Sequence, residues 1–195
     1  LILASTSRYR RALLDGLGLE YQAIAPRFEE DHALRLAPEA LVVHFAVKKA
    51  ESLLADHPEA LIIGADQTAE LDGKILTKPG TFEGAVEQVL ALAGRTHRLL
   101  TAVALADGRR PGAAHRLVVH TMRMRAMTRA LAEAYVARDQ PLDCAGAYKI
   151  EASGVLLFES MEGPDHTAIV GLPVTAVADL LRGSGVDLLA RVLIP

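Results

Sequence analysis

Short apolar runs alternate along this chain with longer stretches whose apolar residues recur every three or four positions. Leu1-Ile2-Leu3-Ala4 and Leu61-Ile62-Ile63-Gly64-Ala65 are brief, largely β-branched or aliphatic, and bounded by polar residues, which predicts buried strands. Tyr21 to Ala25, closed by Pro26, predicts a further strand. Arg98 to Ala106 and His115 to Met124 predict a pair of strands around Asp107-Gly108 and Pro111-Gly112. Val155 to Ser160 predicts another. Helical spacing predicts helices over Arg10 to Leu17, Pro38 to Leu54 (with Leu41, Phe45, Val47 and Ala50 toward the core), Thr81 to Leu92, Arg129 to Ala137 and Val174 to Leu181. Gly183 and Gly185 mark the end of the last helix. Strands and helices are intermixed, with both hairpin and crossover connections. The pattern predicts an α/β or α+β fold around one mixed sheet.

Composition sharpens this little, but it excludes much. The 195 residues are 51% hydrophobic, enough for a substantial core and too apolar for disorder. No apolar run is long enough to span a bilayer. The single cysteine, Cys144, excludes an intrachain disulfide and suits a reducing compartment. The chain opens on Leu1, without Met or a signal peptide, so a few native residues are expected before it. A formal net charge of −3 gives no general drive toward nucleic acid. Local charge matters more: Arg8, Arg10 and Arg11 cluster near the start, and Glu29, Glu30 and Asp31 follow.

Candidate chemistry centres on Asp66, read as an acid at a strand's carboxyl end, where open α/β sheets bind ligands. A carboxylate near a core must pair with a base or hold a metal. Ser5-Thr6-Ser7 and the arginines after it combine a helix start with hydroxyl and guanidinium donors, the parts of an anion site. They lack the glycines of a phosphate-binding loop. Lys78 sits in the rigid turn Lys78-Pro79-Gly80, and Lys48 or Lys49 could project from a helix. Glu29, Glu30 and Asp66 are acids suited to a hard divalent cation. The seven histidines are scattered, which argues against zinc.

Taken in order, these motifs resemble a known family. Leu1 to Ser7, Arg10-Arg11, Glu29-Glu30, Gly64-Ala65-Asp66-Gln67, Lys78-Pro79, Gly94-Arg95-Thr96-His97, Asp143 to Tyr148 and Val170-Gly171-Leu172-Pro173 look like the Maf (septum-formation-inhibitor-like) nucleoside triphosphate pyrophosphatases, over nearly the whole chain. The resemblance implies one Maf-like domain over residues 1–195. Its fold would be similar to that of inosine triphosphatases, a bent mixed sheet flanked by helices in two lobes with a central cleft. It implies a cytoplasmic enzyme with a divalent metal, Mg2+ or Mn2+. By motif, Asp66 is the proton acceptor. Ser5, Arg10, Lys49 and Lys78 hold the triphosphate, and Glu30 joins Asp66 at the metal.

Three positions bear on the base. Tyr9, Gln67 and Glu151 resemble the 7-methyl-GTP group, which carries an aromatic (commonly Trp), Gln and Glu there. The dTTP and UTP group tends to carry Arg, Thr and Gln. An aromatic face attracts the cationic ring of N7-methylguanine, and a carboxylate accepts hydrogen bonds from its N1–H and amino group. The leading expectation is therefore a pyrophosphatase for 7-methyl-GTP or a related modified nucleotide, limiting its incorporation into nucleic acids. The alternatives are a dTTP/UTP pyrophosphatase and, in another class, a non-catalytic nucleotide-binding regulator of cell division. A nucleotide partner, no nucleic acid, no membrane and a homodimer complete the expectations.

Overall fold

The computed structural model describes residues 1–31 and 33–194. In chain order its elements are β1 (Ile2–Ala4), α1 (Arg8–Asp15), β2 (Gln22–Ile24), α2 (Pro38–Glu51), β3 (Leu61–Leu71), β4 (Lys74–Leu76), α3 (Phe82–Leu92), β5 (Thr96–Asp107), β6 (Ala113–Met124), α4 (Arg129–Asp139), β7 (Phe158–Glu162), α5 (Thr167–Val170), α6 (Val174–Gly183) and α7 (Leu188–Leu193). Short 3₁₀ turns occupy Ala145–Ala147 and Ser153–Leu157. Among the described residues the strands form one seven-stranded sheet, ordered β2-β1-β3-β5-β6-β7 with β4 on β3. It is mixed: β1 runs parallel to β2 and β3, whereas β4 on β3 and β7 on β6 are antiparallel. The expected mixed α/β class is the observed one.

The chain divides into two compact units. The first comprises residues 1–66, 101–118 and 165–195. Its core gathers Leu3, Ile63 and Ala65 with Leu14 of α1, Val103 and Leu105 of β5, and Val177, Leu180 and Leu181 of α6. Ile63 and Ala65 share one face of β3 because side chains alternate along a strand. Gly64 therefore belongs to the opposite face, where α2 packs. A Cβ there would lie 2.2 Å from the Ala46 carbonyl oxygen and 2.6 Å from the Ala50 nitrogen. Only glycine admits this approach of helix to strand.

The second unit comprises residues 67–100 and 119–164. Here His97, at the end of Gly94-Arg95-Thr96-His97, meets Tyr148, at the end of Ala145 to Tyr148, in the interior. His97 Nε2 and the Tyr148 hydroxyl lie 3.1 Å apart, and Phe158 packs against both rings. Burial pushes His97 down to about 4, so it is neutral and serves the core.

Several boundaries differ from those the pattern predicts. β3 does not end at Ala65 but runs to Leu71, so Asp66 lies mid-strand. Gln67, Thr68 and Glu70 look like a stop to an apolar-run reading. A central strand can bury them once they are paired, and Glu70 is paired with Arg98 at 2.5 Å. Asp66 is nevertheless next to a strand end: β1 pairs with β3 only at Ile62 and Ile63, and β1 itself stops at Ala4. In α2 the buried face is Leu41, Val42, Phe45, Ala46, Lys49 and Ala50, and Val47 is only half-buried. The run Val155 to Ser160 is not one strand. It begins as a 3₁₀ turn in which Gly154 sits against the Lys149 backbone, and β7 starts at Phe158. Beyond the last predicted helix lies α7, capped by the Asp187 carboxylate accepting from the Leu189 N–H.

Candidate active site

The first unit brings five predicted site residues together: Ser5, Arg10, Glu30, Lys49 and Asp66. The strand alternation that sets Gly64 against α2 also sends Asp66 to that face. α2 presents Lys49 on its buried face, one turn beyond Phe45. The Lys49 ammonium donates to Asp66 Oδ1 at 2.6 Å and lies 2.5 Å from Glu30 Oε1. Lys48 points elsewhere, exposed and paired with Glu51 at 3.0 Å. Helical phase separates the two lysines, and the one facing Asp66 is Lys49, the lysine that the family resemblance assigns.

Glu30 reaches Lys49 from the loop between β2 and α2. Phe28 anchors that loop against His44 and Phe45, with ring centroids 6.2 and 5.9 Å away. The Arg27 N–H donates to Ser52 Oγ at 3.0 Å and adds a second tie to the end of α2. Neither anchor is a candidate on sequence alone, although an aromatic residue flanking an acidic run is a visible signal.

Ser5 and Arg10 enter from the β1–α1 connection. Ser7 caps α1 by accepting from the Arg10 N–H at 3.4 Å. Ser5 Oγ accepts from the Ser7 N–H at 3.1 Å and lies 3.4 Å from Arg10 Nη1. Arg10 Nε donates to the Gly171 carbonyl at 2.9 Å. That carbonyl belongs to the Val170-Gly171-Leu172-Pro173 motif, and Gly171 has φ 127°, a conformation that favours glycine.

The electrostatics are those of a buried Asp66–Lys49 pair flanked by Arg10 and Glu30. Burial pushes the Asp66 carboxyl above the ordinary aspartate range, and Glu30 adds to the push. Lys49 and Arg10 pull the other way without cancelling it. Burial lowers Arg10 from its usual value, while Asp66 and Glu30 oppose that shift. Two cations therefore face two acids, with no positive charge in excess.

Tyr9 is half-buried on α1. The Arg8 guanidinium lies 4.8 Å from its ring centroid and donates to its hydroxyl at 2.7 Å. The remaining candidates belong to the second unit. Gln67 is half-buried, directly after Asp66 in β3. Lys78 is exposed in the turn between β4 and α3. Glu151 is exposed, two residues after the buried Lys149.

A family model described as Maf-like protein matches residues 1–184. The chain belongs to the Maf-like family. Among its relatives is a protein of Xanthomonas axonopodis pv. citri, 44% identical over 95% of this chain and 96% of its own length. Another, from Syntrophotalea carbinolica, is 40% identical over 97% of this chain and 96% of its own. Both are called 7-methyl-GTP pyrophosphatase. Among solved structures, the chain aligns with the Ham1 protein of Staphylococcus aureus at a TM-score of 0.46 and 15% identity, over 63% of this chain and 70% of that one. Within the Maf-like frame, the acid of Gly64-Ala65-Asp66-Gln67 and the lysine of α2 form one buried pair. The glycine of Gly171-Leu172-Pro173 supplies the carbonyl that orients Arg10.

Two carboxylates converging on one ammonium are also the donor set a hard divalent cation uses when substrate phosphates and water complete its shell. Among the described residues no group of three or more His, Cys, Asp or Glu could hold a metal by itself. The residues fit a cation bound together with a phosphorylated ligand, and they do not form an all-protein cage.

Proposed function

We propose that this chain is a nucleoside triphosphate pyrophosphatase, a hydrolase of acid anhydrides, acting on 7-methyl-GTP or a closely related modified nucleotide. The observation that carries the reading is the buried Asp66–Lys49 pair, joined by Glu30 from the exposed loop before α2 and set beside Arg10, in a Maf-like chain. A purely structural ion pair has no need of the hydroxyl and guanidinium donors that Ser5 and Arg10 place beside it, whereas a triphosphate does. Two relatives that match almost end to end carry the same activity in their names.

Arg10 and Ser5 donate to phosphate oxygens from one side and Lys49 from another, and Lys78 is assigned to the same triphosphate. Asp66 accepts the proton of the attacking water as its oxygen bonds to phosphorus. The anhydride bond between the first and second phosphoryl groups breaks, and the electron pair leaves with pyrophosphate. Mg2+ or Mn2+, held by Asp66 and Glu30, would neutralise charge on the leaving pyrophosphate. The charge balance supports that assignment: Arg10 and Lys49 are already matched by Asp66 and Glu30, so a triphosphate arrives with charge still to be offset.

The base assignment rests on Tyr9, Gln67 and Glu151. The Tyr9 ring already lies beside a guanidinium, a cation like the methylated guanine that this face is proposed to receive. The family resemblance gives Glu151 the guanine edge and Gln67 an amide contact. The product is a modified monophosphate that polymerases cannot use. A cytoplasmic location and a homodimer belong to the same proposal, and no helix among the described residues is long and apolar enough to cross a membrane.

A panel of nucleoside triphosphates, scored by pyrophosphate release with Mg2+ or Mn2+, tests the reading. The expected result is the highest kcat/KM on 7-methyl-GTP. Preference for dTTP or UTP would transfer the chain to the pyrimidine group, and tight binding without turnover would favour the regulatory alternative.

The pH dependence is a second test. A base works ionised, so the acid limb of kcat/KM reports the Asp66 carboxyl in the free enzyme. Burial raises that group, so the limb is expected above the ordinary aspartate value of ~3.9. An acid limb at or below that value would remove Asp66 from the role of base.

A further inference from the structure

Asp165 is a buried carboxylate, and the hydrolytic chemistry above gives it no role. It is 4% exposed, and both its oxygens are engaged. Oδ1 accepts from the N–H of Thr167 at 2.9 Å and from its hydroxyl at 2.5 Å. Oδ2 accepts from the N–H of Thr175 at 2.9 Å and from its hydroxyl at 2.7 Å. Burial alone would raise this carboxyl, but these four hydrogen bonds outweigh it and hold the group below the usual carboxylate range. The ionised form is therefore the one built into the fold.

The four bonds close residues 165–175 into a knot. Thr167 Oγ1 accepts from the Val174 N–H at 2.9 Å, and Thr101 of β5 fastens the knot by donating to the Ala168 carbonyl at 2.9 Å. Inside the knot the chain turns through Gly171, whose carbonyl accepts from Arg10 Nε at 2.9 Å. A guanidinium is planar, so fixing Nε and bringing Nη1 to Ser5 Oγ sets the plane and the direction of the whole fork.

We infer that Asp165 is a positioning residue for phosphate recognition: its knot holds the Gly171 carbonyl where it aims the Arg10 guanidinium. This inference rests on the proposed role of Arg10 toward a triphosphate. Both Asp165 oxygens are taken by Thr167 and Thr175, so its effect passes through one carbonyl and one arginine. Small misalignments at such a point are costly, because a displacement of about 1 Å can lower a rate by about 100-fold.

The test is a double-mutant cycle of Asp165→Asn and Arg10→Ala, with kcat and KM measured on whichever triphosphate the wild-type chain hydrolyses. Asparagine keeps one acceptor toward Thr167 and loses acceptance from Thr175. Asp165→Asn is expected to lower kcat/KM by on the order of 100-fold in the wild-type background and by less than about threefold in the Arg10→Ala background. Its effect on the thermal midpoint is expected to be the same in both backgrounds, because the knot itself does not need Arg10. Equal kinetic penalties in the two backgrounds would overturn the inference and leave the pyrophosphatase reading intact. A wild-type chain that hydrolyses no triphosphate would overturn both. Should Asp165→Asn not fold, Thr175→Val removes a single hydroxyl from the knot, and its penalty must vanish in the Arg10→Ala background by the same logic.

Discussion

Asp66→Asn is expected to lower turnover by about a thousandfold while nucleotide binding stays measurable. The amide keeps the size of the side chain and a contact to Lys49 but cannot accept the proton of water. Stability distinguishes this loss from simple damage. The Asp66 carboxyl is raised in the fold, so the folded chain holds that proton more tightly than the unfolded chain does. The stability this contributes is complete below the unfolded value of ~3.9 and is lost as pH rises through the folded value. Once ionised, the carboxylate therefore weakens the fold, and its removal leaves Lys49 still paired with Glu30. The thermal midpoint of Asp66→Asn should equal or exceed that of the wild type. Scanning calorimetry beside a pyrophosphate-release assay checks both halves. Unchanged turnover would remove Asp66 from the mechanism, and a large fall in midpoint would make it a structural acid.

Gly64→Ala is expected to have the largest effect on stability, about 3 kcal/mol, or roughly 10 °C in the midpoint. The added methyl would meet the Ala46 carbonyl oxygen at 2.2 Å and the Ala50 nitrogen at 2.6 Å. Both are helix backbone, so no side-chain rotation relieves the clash and α2 itself must move. Lys49 lies between those two residues, so activity should fall with stability even in the fraction that remains folded. Denaturant unfolding and kcat/KM on the folded fraction measure the two effects. Retained stability would mean that α2 can slide on β3, and the fixed geometry of Lys49 would then lose its basis.

Much of the candidate site is legible in the sequence, because residue chemistry limits the roles available. Asp66 after Gly64-Ala65, Arg10 after a capping serine, and an acidic pair at Glu29-Glu30 each imply a use through charge and position. Less legible were residues whose role is to hold others. Phe28, Ser52 and Asp165 act through a ring face, a hydroxyl and a hydrogen-bonded knot. Each looks like an ordinary loop or helix residue until its partners, remote in the chain, are beside it. The error at β3 has the same origin. Alternation and hydrophobicity ended the strand at Ala65, but Glu70 is buried in its continuation because Arg98, 28 residues on in the neighbouring strand β5, pairs with it.

By itself, the sequence determined the fold class, the order of the main elements, the family frame and the residue types available for phosphate and proton chemistry. Those follow from local periodicity and from functional groups that can do only a few things. Residue chemistry left Lys48 and Lys49 open and the family resemblance assigned Lys49; tertiary structure decided that Lys49 contacts Asp66, that Glu30 shares that lysine, that Asp66 lies mid-strand beside the end of a neighbouring one, and that Gly171 orients Arg10. Each of these depends on helical phase or on strand and loop neighbours far apart in the chain, so no local reading of residues could supply it.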